Sequence, residues 1–103
     1  MPLADMSEKA LKEQVLKWTK RHRPDVWLYK TADLWKSGIP DIVGCAKGQF
    51  FAVELKTPVG RVTKLQIKTL EAIKQSGGKA KVVRTLPQWI SFLEGLDNAF
   101  EMD

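Results

Sequence analysis

Asp41, Glu54 and Lys56 are the residues of this chain whose types and spacing can do chemistry together. Glu54-Leu55-Lys56 closes the apolar run Gln49-Phe50-Phe51-Ala52-Val53. Side chains on a strand alternate between faces with period two, so Glu54 and Lys56 share one face and Val53 and Leu55 the other. The run Ile42-Val43-Gly44-Cys45-Ala46 precedes it, joined by Lys47-Gly48. A two-residue hairpin loop there pairs Ala46 with Gln49 and, counting outward, sets Asp41 directly opposite Glu54. A four-residue loop keeps that register, whereas a three-residue loop shifts it by one and turns the side chains apart. In the even register the two carboxylates have Cβ atoms about 4.5–5.5 Å apart, and like charges so placed destabilise a ladder. A divalent cation between them reverses the sign. The competing reading makes Asp41 a turn residue after Pro40, with Glu54 and Lys56 fraying at a strand end.

Two carboxylates without a neighbouring cysteine or clustered histidine suit a hard ion, Mg²⁺ or Mn²⁺, rather than Zn²⁺. Such an ion keeps several waters and is completed by substrate phosphate oxygens. Lys56 beside it is placed to position or activate a water, or to stabilise charge on a phosphate in the transition state.

The elements that must hold these groups follow from pattern. A helix is predicted from Ser7 to His22, capped by Asp5 with Glu8 as capping-box partner and ended before Pro24. Val26 to Lys30 reads as a strand, Ser37 to Pro40 as a turn, and the two runs around Lys47-Gly48 as a hairpin. A second helix runs from Thr63 to Ser76, with Thr63 and Gln66 as a capping box and Gly77-Gly78 as its stop. Ala80 to Val83 is a fourth strand, and a last helix starts at Pro87 and runs to about Leu96. The order αβββαβα makes the second helix a right-handed crossover between parallel strands. The expected fold is α/β (α+β in the broader sense), a mixed sheet flanked by helices, in a single domain over 1–103.

Two further polar residues stand where the helices turn inward. Leu11, Val15 and Trp18 form the apolar stripe of the first helix, and Glu8 lies on that face one turn upstream. Glu8 can lean over the sheet as another metal ligand or serve only the helix cap. On the second helix Gln66 falls within the inner arc of Leu65, Thr69, Leu70 and Ile73. It too is either a site residue or only a capping residue.

The 103 residues carry 17 Lys and Arg against 12 Asp and Glu, a formal charge of +5. A basic domain of this size invites a polyanion, nucleic acid first. The apolar share of 44% excludes a disordered tail, and no apolar run is long enough to span a bilayer. No secretion signal is visible, and the single cysteine, Cys45, excludes an internal disulfide or a cysteine-rich zinc site. A reduced, intracellular protein fits. Lys30, Lys36, Arg61, Lys64 and Lys68 fall on loops and element ends near the carboxylates, as phosphate-neutralising groups would. Trp27 and Trp35 read as packing residues, with base stacking as the other use of such rings. Trp89 and Phe92 cover the sheet or build a dimer face. His22 reads as structural, and Cys45 as a small buried apolar residue.

Ile39-Pro40-Asp41 followed by Glu54-Leu55-Lys56 resembles the PD-(D/E)XK nuclease signature. The wider pattern resembles the VRR-NUC group: an early helical Glu8, Gly38-Ile39-Pro40-Asp41, Phe51 to Lys56, a basic Gly60-Arg61 loop, Gln66, and Gly77-Gly78 before Val82-Val83-Arg84. Thr85 stands where the namesake motif would continue with a basic residue. The resemblance spans roughly Glu8 to Arg84. It implies a restriction-endonuclease-like αβββαβ core and metal-dependent hydrolysis of phosphodiester bonds in DNA. Asp41, Glu54, Glu8 and the backbone carbonyl of Leu55 would be metal ligands, Lys56 would act on water or phosphate, and Gln66 would assist. It also implies a cytoplasmic, bacterial or phage-encoded homodimer that cuts branched DNA such as four-way junctions. A nucleic-acid-binding module without cleavage is the alternative, but a pure binder has no use for an acidic pair against a polyanion.

Overall fold

The computed structural model describes residues 7–31 and 37–102, the side chains of 100–102 excepted. In chain order the elements are α1 (Glu8–His22), β1 (Trp27–Lys30), β2 (Ile42–Ala46), β3 (Gln49–Leu55), α2 (Lys64–Gln75), β4 (Lys79–Val83) and α3 (Leu86–Met102). They build one sheet in the order β1-β2-β3-β4. The first two pairings are antiparallel and β3 with β4 is parallel, bridged by α2. The expected mixed sheet flanked by helices is the observed one.

The turn between β2 and β3 fixes the register. Lys47 and Gly48 both have positive φ, 53° and 75°. That is the backbone of a two-residue type I′ turn, whose twist matches the strands it joins. Ala46 therefore pairs with Gln49, and every pair back to Ile42 with Val53 follows. One step further, Asp41 lies opposite Glu54.

Alternation along these strands sorts the sheet into two faces. Ile42, Phe51, Val53, Leu55 and Val83 point to the side covered by α1 and α3, where Leu11, Val15, Trp89, Leu93 and Leu96 complete the core. Phe51 meets Trp89 and Phe92 edge-on, with ring centroids 5.7 and 5.6 Å apart. Trp89 and Phe92 thus cover the sheet. Thr19, rather than Trp18, completes the buried stripe of α1. Its hydroxyl donates to Val15 O and accepts from Trp89 Nε1 at 2.8 Å, so the indole N–H is satisfied inside the core.

Several boundaries differ from expectation. Ser7 is the N-cap of α1, its hydroxyl accepting from Ala10 N at 3.0 Å. Glu8 is then the first helical residue rather than a capping-box partner, and Asp5 lies outside the described residues. α3 continues past Gly95 to Met102 because Leu93 and Leu96 are buried against the sheet. Tertiary burial there outweighs the roughly 1 kcal/mol that a helical glycine costs. The Arg23 guanidinium forks onto Asp25 and Asp97 at 3.0–3.1 Å, tying the end of α1 to α3.

Candidate metal centre

The end of the central hairpin gathers three carboxylates from three elements. Glu54 arrives on β3, Asp41 on the residue before β2, and Glu8 from the first turn of α1. One oxygen from each lies within 4.8 Å of the others. Thr31 and Gly38 hold the Asp41 backbone in place. The Thr31 N–H donates to Asp41 O at 3.0 Å, and the buried Thr31 hydroxyl donates to Pro40 O. Gly38, at φ 85°, lets the approaching turn pass so close to α2 that an added Cβ would stand 2.6 Å from Leu65. Asp41 Oδ2 then accepts from the Leu55 N–H at 2.8 Å, crossing the hairpin. The Leu55 side chain is fully buried in the core, so only its backbone faces the carboxylates.

Lys56 bridges the acids. Its ammonium lies 3.7 Å from Glu8 Oε1 and 3.9 Å from Glu54 Oε2, as expected for a residue sharing the face of Glu54. Gln66 reaches the same group, donating from Nε2 to Glu54 Oε2 at 3.2 Å. Its carbonyl meanwhile accepts the Thr63 N–H at 2.9 Å in the capping box. One end of the amide thus reaches Glu54 while the other serves the helix cap.

Glu54 is 3% exposed, and its Oε1 is the one buried side-chain N or O atom without a hydrogen-bond partner among the described residues. Burial, together with Asp41 and Glu8 alongside, pushes its carboxyl up to about 8 against the pull of Lys56. A buried oxygen left without a donor costs roughly 1–3 kcal/mol. A cation at that oxygen removes the cost and restores the charged form. Oxygens sharing one Mg²⁺ at about 2.1 Å are about 3.0–4.2 Å apart, so the trio would draw together around a bound ion.

Two contributors carry no role in the sequence reading, Lys12 and Arg84, the latter named there only within the family pattern. Lys12, one turn after Glu8 on the same face of α1, places its ammonium 3.9 Å from Asp41 Oδ1. The i, i+4 spacing from Glu8 was the available signal. Arg84 donates from Nη1 to Thr57 O and Gly60 O, both at 2.7 Å, while Lys56 N donates to Val83 O at 3.1 Å. The end of β4 thereby clamps the segment that carries Lys56 and leads to Arg61. Thr85 caps α3, its hydroxyl accepting from Gln88 N at 3.3 Å, which accounts for a non-basic residue there.

The remaining expected residues sort by place. Lys30, Arg61, Lys64 and Lys68 are all exposed. Lys30 ends β1 beside Ile42, and Lys64 opens α2 two residues before Gln66. Lys36 and Trp35 lie outside the described residues. Trp27 does not pack inside: it is 57% exposed, because α2 covers only the β3–β4 half of its face. Cys45 is half-buried on that same open half rather than buried. Leu65 turns out of the inner arc and is exposed, leaving Leu70 as the buried residue of α2. His22 sits at the far end of α1 from Glu8, its ring 5.1 Å from that of Trp18 and tilted 32° to it.

A four-stranded mixed sheet with carboxylates at the end of its central hairpin, and a lysine two residues beyond the second, defines the restriction-endonuclease-like class of folds. The VRR-NUC domain model matches residues 2–86. A solved structure described as a VRR_NUC domain shares the fold at a TM-score of 0.66 and 21% identity, covering 85% of this chain and 96% of that one. No curated protein matches. The chain belongs to the VRR-NUC family, a nuclease-type domain within the PD-(D/E)XK superfamily.

Proposed function

We propose that this chain, acting as one domain over 1–103, is a metal-dependent endonuclease that hydrolyses phosphodiester bonds in DNA with Mg²⁺ or Mn²⁺. The observation that carries this reading is the buried, unpartnered Glu54 Oε1 within a trio of carboxylates, in a protein of net charge +5. Asp41, Glu54 and Glu8, with the carbonyl of Leu55, are the groups that would hold the ion. When bound, the ion supplies Lewis-acid polarisation of the phosphate and a water acidic enough to attack it.

The chain's own residues do the rest. Gln66 holds Glu54 Oε2, while Oε1 is left buried without a partner. The Lys56 ammonium, already between Glu8 and Glu54, orients the attacking water or steadies the phosphate as charge builds on it. Exposed Lys30, Arg61, Lys64 and Lys68 are the groups that would neutralise neighbouring phosphates without reading sequence, and Lys36 is a candidate for the same role from its place in the sequence. The expected substrate is branched DNA, four-way junctions above all. The expected assembly is a homodimer, since a junction needs two incisions. A bacterial or phage cytoplasm is the setting.

The test is cleavage of labelled four-way junction, flap and linear duplex in Mg²⁺, Mn²⁺ or EDTA, with Lys56→Ala beside the wild type. Metal-dependent cutting by the wild type, with binding but no cutting by Lys56→Ala, is the expected result. Binding without cutting on every substrate would make the chain a binding module and refute the proposal.

A further inference from the structure

Helix α1 delivers two opposite charges to the candidate centre. Glu8 and Lys12, four residues apart, share the face of α1 that turns toward the end of the central hairpin. That spacing, with Glu first, suits an ion pair within the helix. The contacts run elsewhere. Glu8 meets Lys56 at 3.7 Å, and Lys12 meets Asp41 at 3.9 Å. The Lys12 side chain is 24% exposed, whereas Lys9, Lys17 and Lys20 of the same helix stand in solvent. The two oxygens of Asp41 are divided as well. Oδ2 accepts the Leu55 N–H at 2.8 Å, and Oδ1 is the oxygen that faces Lys12. At 3.9 Å the ammonium is held by charge but lies beyond hydrogen-bond distance, so its three N–H donors are not spent on Asp41. No other hydrogen bond takes them up among the described residues.

We propose that Lys12 is a substrate-contacting residue of the centre, the ammonium that meets a phosphodiester oxygen on the Asp41 side while Lys56 serves the side of Glu8 and Glu54. The inference rests on the nuclease reading and adds a residue to it. Unspent donors on a partly desolvated ammonium are what a phosphate oxygen requires. The formal charges agree. Three carboxylates and two ammoniums sum to −1, and a divalent ion among them brings the centre to +1. That is the complement of one phosphodiester, whereas the same centre without Lys12 is neutral. The position has a second consequence. An ammonium beside Asp41 is a like charge for any cation entering the carboxylate trio, and it weakens that binding. Lys12 therefore acts in opposite directions on two equilibria, against the cation and for the phosphate. Neither a solvated surface lysine nor a merely structural one does so.

The test reads both equilibria and does not require cleavage. Lys12→Met keeps the aliphatic stem and removes the charge, Lys12→Arg keeps the charge, and Lys17→Met removes one charge from an exposed position of the same helix. Mn²⁺ affinity is measured by calorimetry without DNA. Affinity for a labelled four-way junction in saturating Mn²⁺ is measured by fluorescence anisotropy in a Lys56→Ala background, so that the DNA stays whole. Lys12→Met is expected to bind Mn²⁺ about three-fold or more tightly than its parent, and the junction about five-fold or more weakly. Lys12→Arg and Lys17→Met are expected to stay within about two-fold of their parents in both measurements. Only opposite shifts support the proposal. Losses in both equilibria would make Lys12 a structural residue, and changes in either no larger than those of Lys17→Met would make it a surface charge; each overturns it. Opposite shifts with no cutting of any substrate by the wild type would refute the nuclease reading alone and leave Lys12 as a phosphate contact. Metal-dependent cutting by the wild type, with Lys12→Met cutting at the same rate, would refute the role of Lys12 alone.

Discussion

The Gln66 side chain joins helix α2 to Glu54 by dividing its amide. Its N–H donates to Glu54 Oε2 at 3.2 Å and its carbonyl accepts the N-cap N–H of Thr63 at 2.9 Å. The start of the helix and the orientation of the buried carboxylate are thus one structural unit. Gln66→Ala breaks both bonds and is expected to cost about 1 kcal/mol of stability and about ten-fold in cleavage rate. Gln66→Glu keeps the cap, since Glu serves equally at that position, but sets a second carboxylate against Glu54. It should fold with its helix intact and cut no faster than Gln66→Ala. Wild-type cleavage by Gln66→Glu would remove Gln66 from the centre.

The second prediction concerns pH in the absence of metal. Glu54 in the folded chain keeps its proton up to about pH 8, whereas its ordinary value is 4.5. Between those values the folded state binds more protons than the unfolded state, so stability falls as pH rises. The contribution is fully present below about 4.5 and lost above about 8, with a limiting slope of about 1.4 kcal/mol per pH unit. Urea unfolding of wild type and Glu54→Gln in EDTA measures it. The stability difference between them should shift across this window in favour of Glu54→Gln as pH rises, and a constant difference would contradict the assignment.

Asp41 gives a third prediction because its two roles separate chemically. Asp41→Asn keeps an oxygen for the Leu55 N–H but removes the charge that faces Glu54. It should be at least as stable as wild type without metal and gain nothing from Mn²⁺. Wild type at a metal concentration 100 times its Kd should gain about 2.7 kcal/mol. Asp41→Ala loses the hydrogen bond as well and should fall about 1–3 kcal/mol below Asp41→Asn. Thermal melts with and without Mn²⁺ check all three.

Arg84 positions rather than reacts. A single guanidinium nitrogen, Nη1, donates to the carbonyls of both Thr57 and Gly60. Arg84→Ala is expected to lower kcat by about ten-fold with KM little changed, and Arg84→Lys by less, since an ammonium nitrogen also has N–H donors for two carbonyls. A fall in melting temperature with kcat unchanged would reduce the clamp to a structural contact.

Much of this was legible from residues because the decisive geometry is local. Lys47-Gly48 allows a two-residue turn, a two-residue turn fixes an even register, and that register alone brings Asp41 to Glu54. Gln66 lies on the inner arc of its helix while also matching a capping box, and its amide serves the cap at one end and reaches Glu54 at the other. The missed features are tertiary. How far α2 spreads across the sheet decides whether Trp27 and Cys45 are covered, and nothing in β1 or β2 encodes it. Lys12 and Arg84 look like solvated surface cations until the elements they reach are folded against them. Ser7 and Asp5 are both competent caps, and only the path of the chain chooses between them.

Calorimetric titration of Mn²⁺ into wild type and Glu54→Gln at pH 7, in two buffers of different ionisation enthalpy, tests the central claim most directly. Wild type should bind the ion with release of close to one proton, because Glu54, held near 8, must ionise to serve as a ligand. Glu54→Gln should bind far more weakly and without that proton. Equal affinity and equal proton release in the two proteins, or no binding by the wild type, would contradict the account.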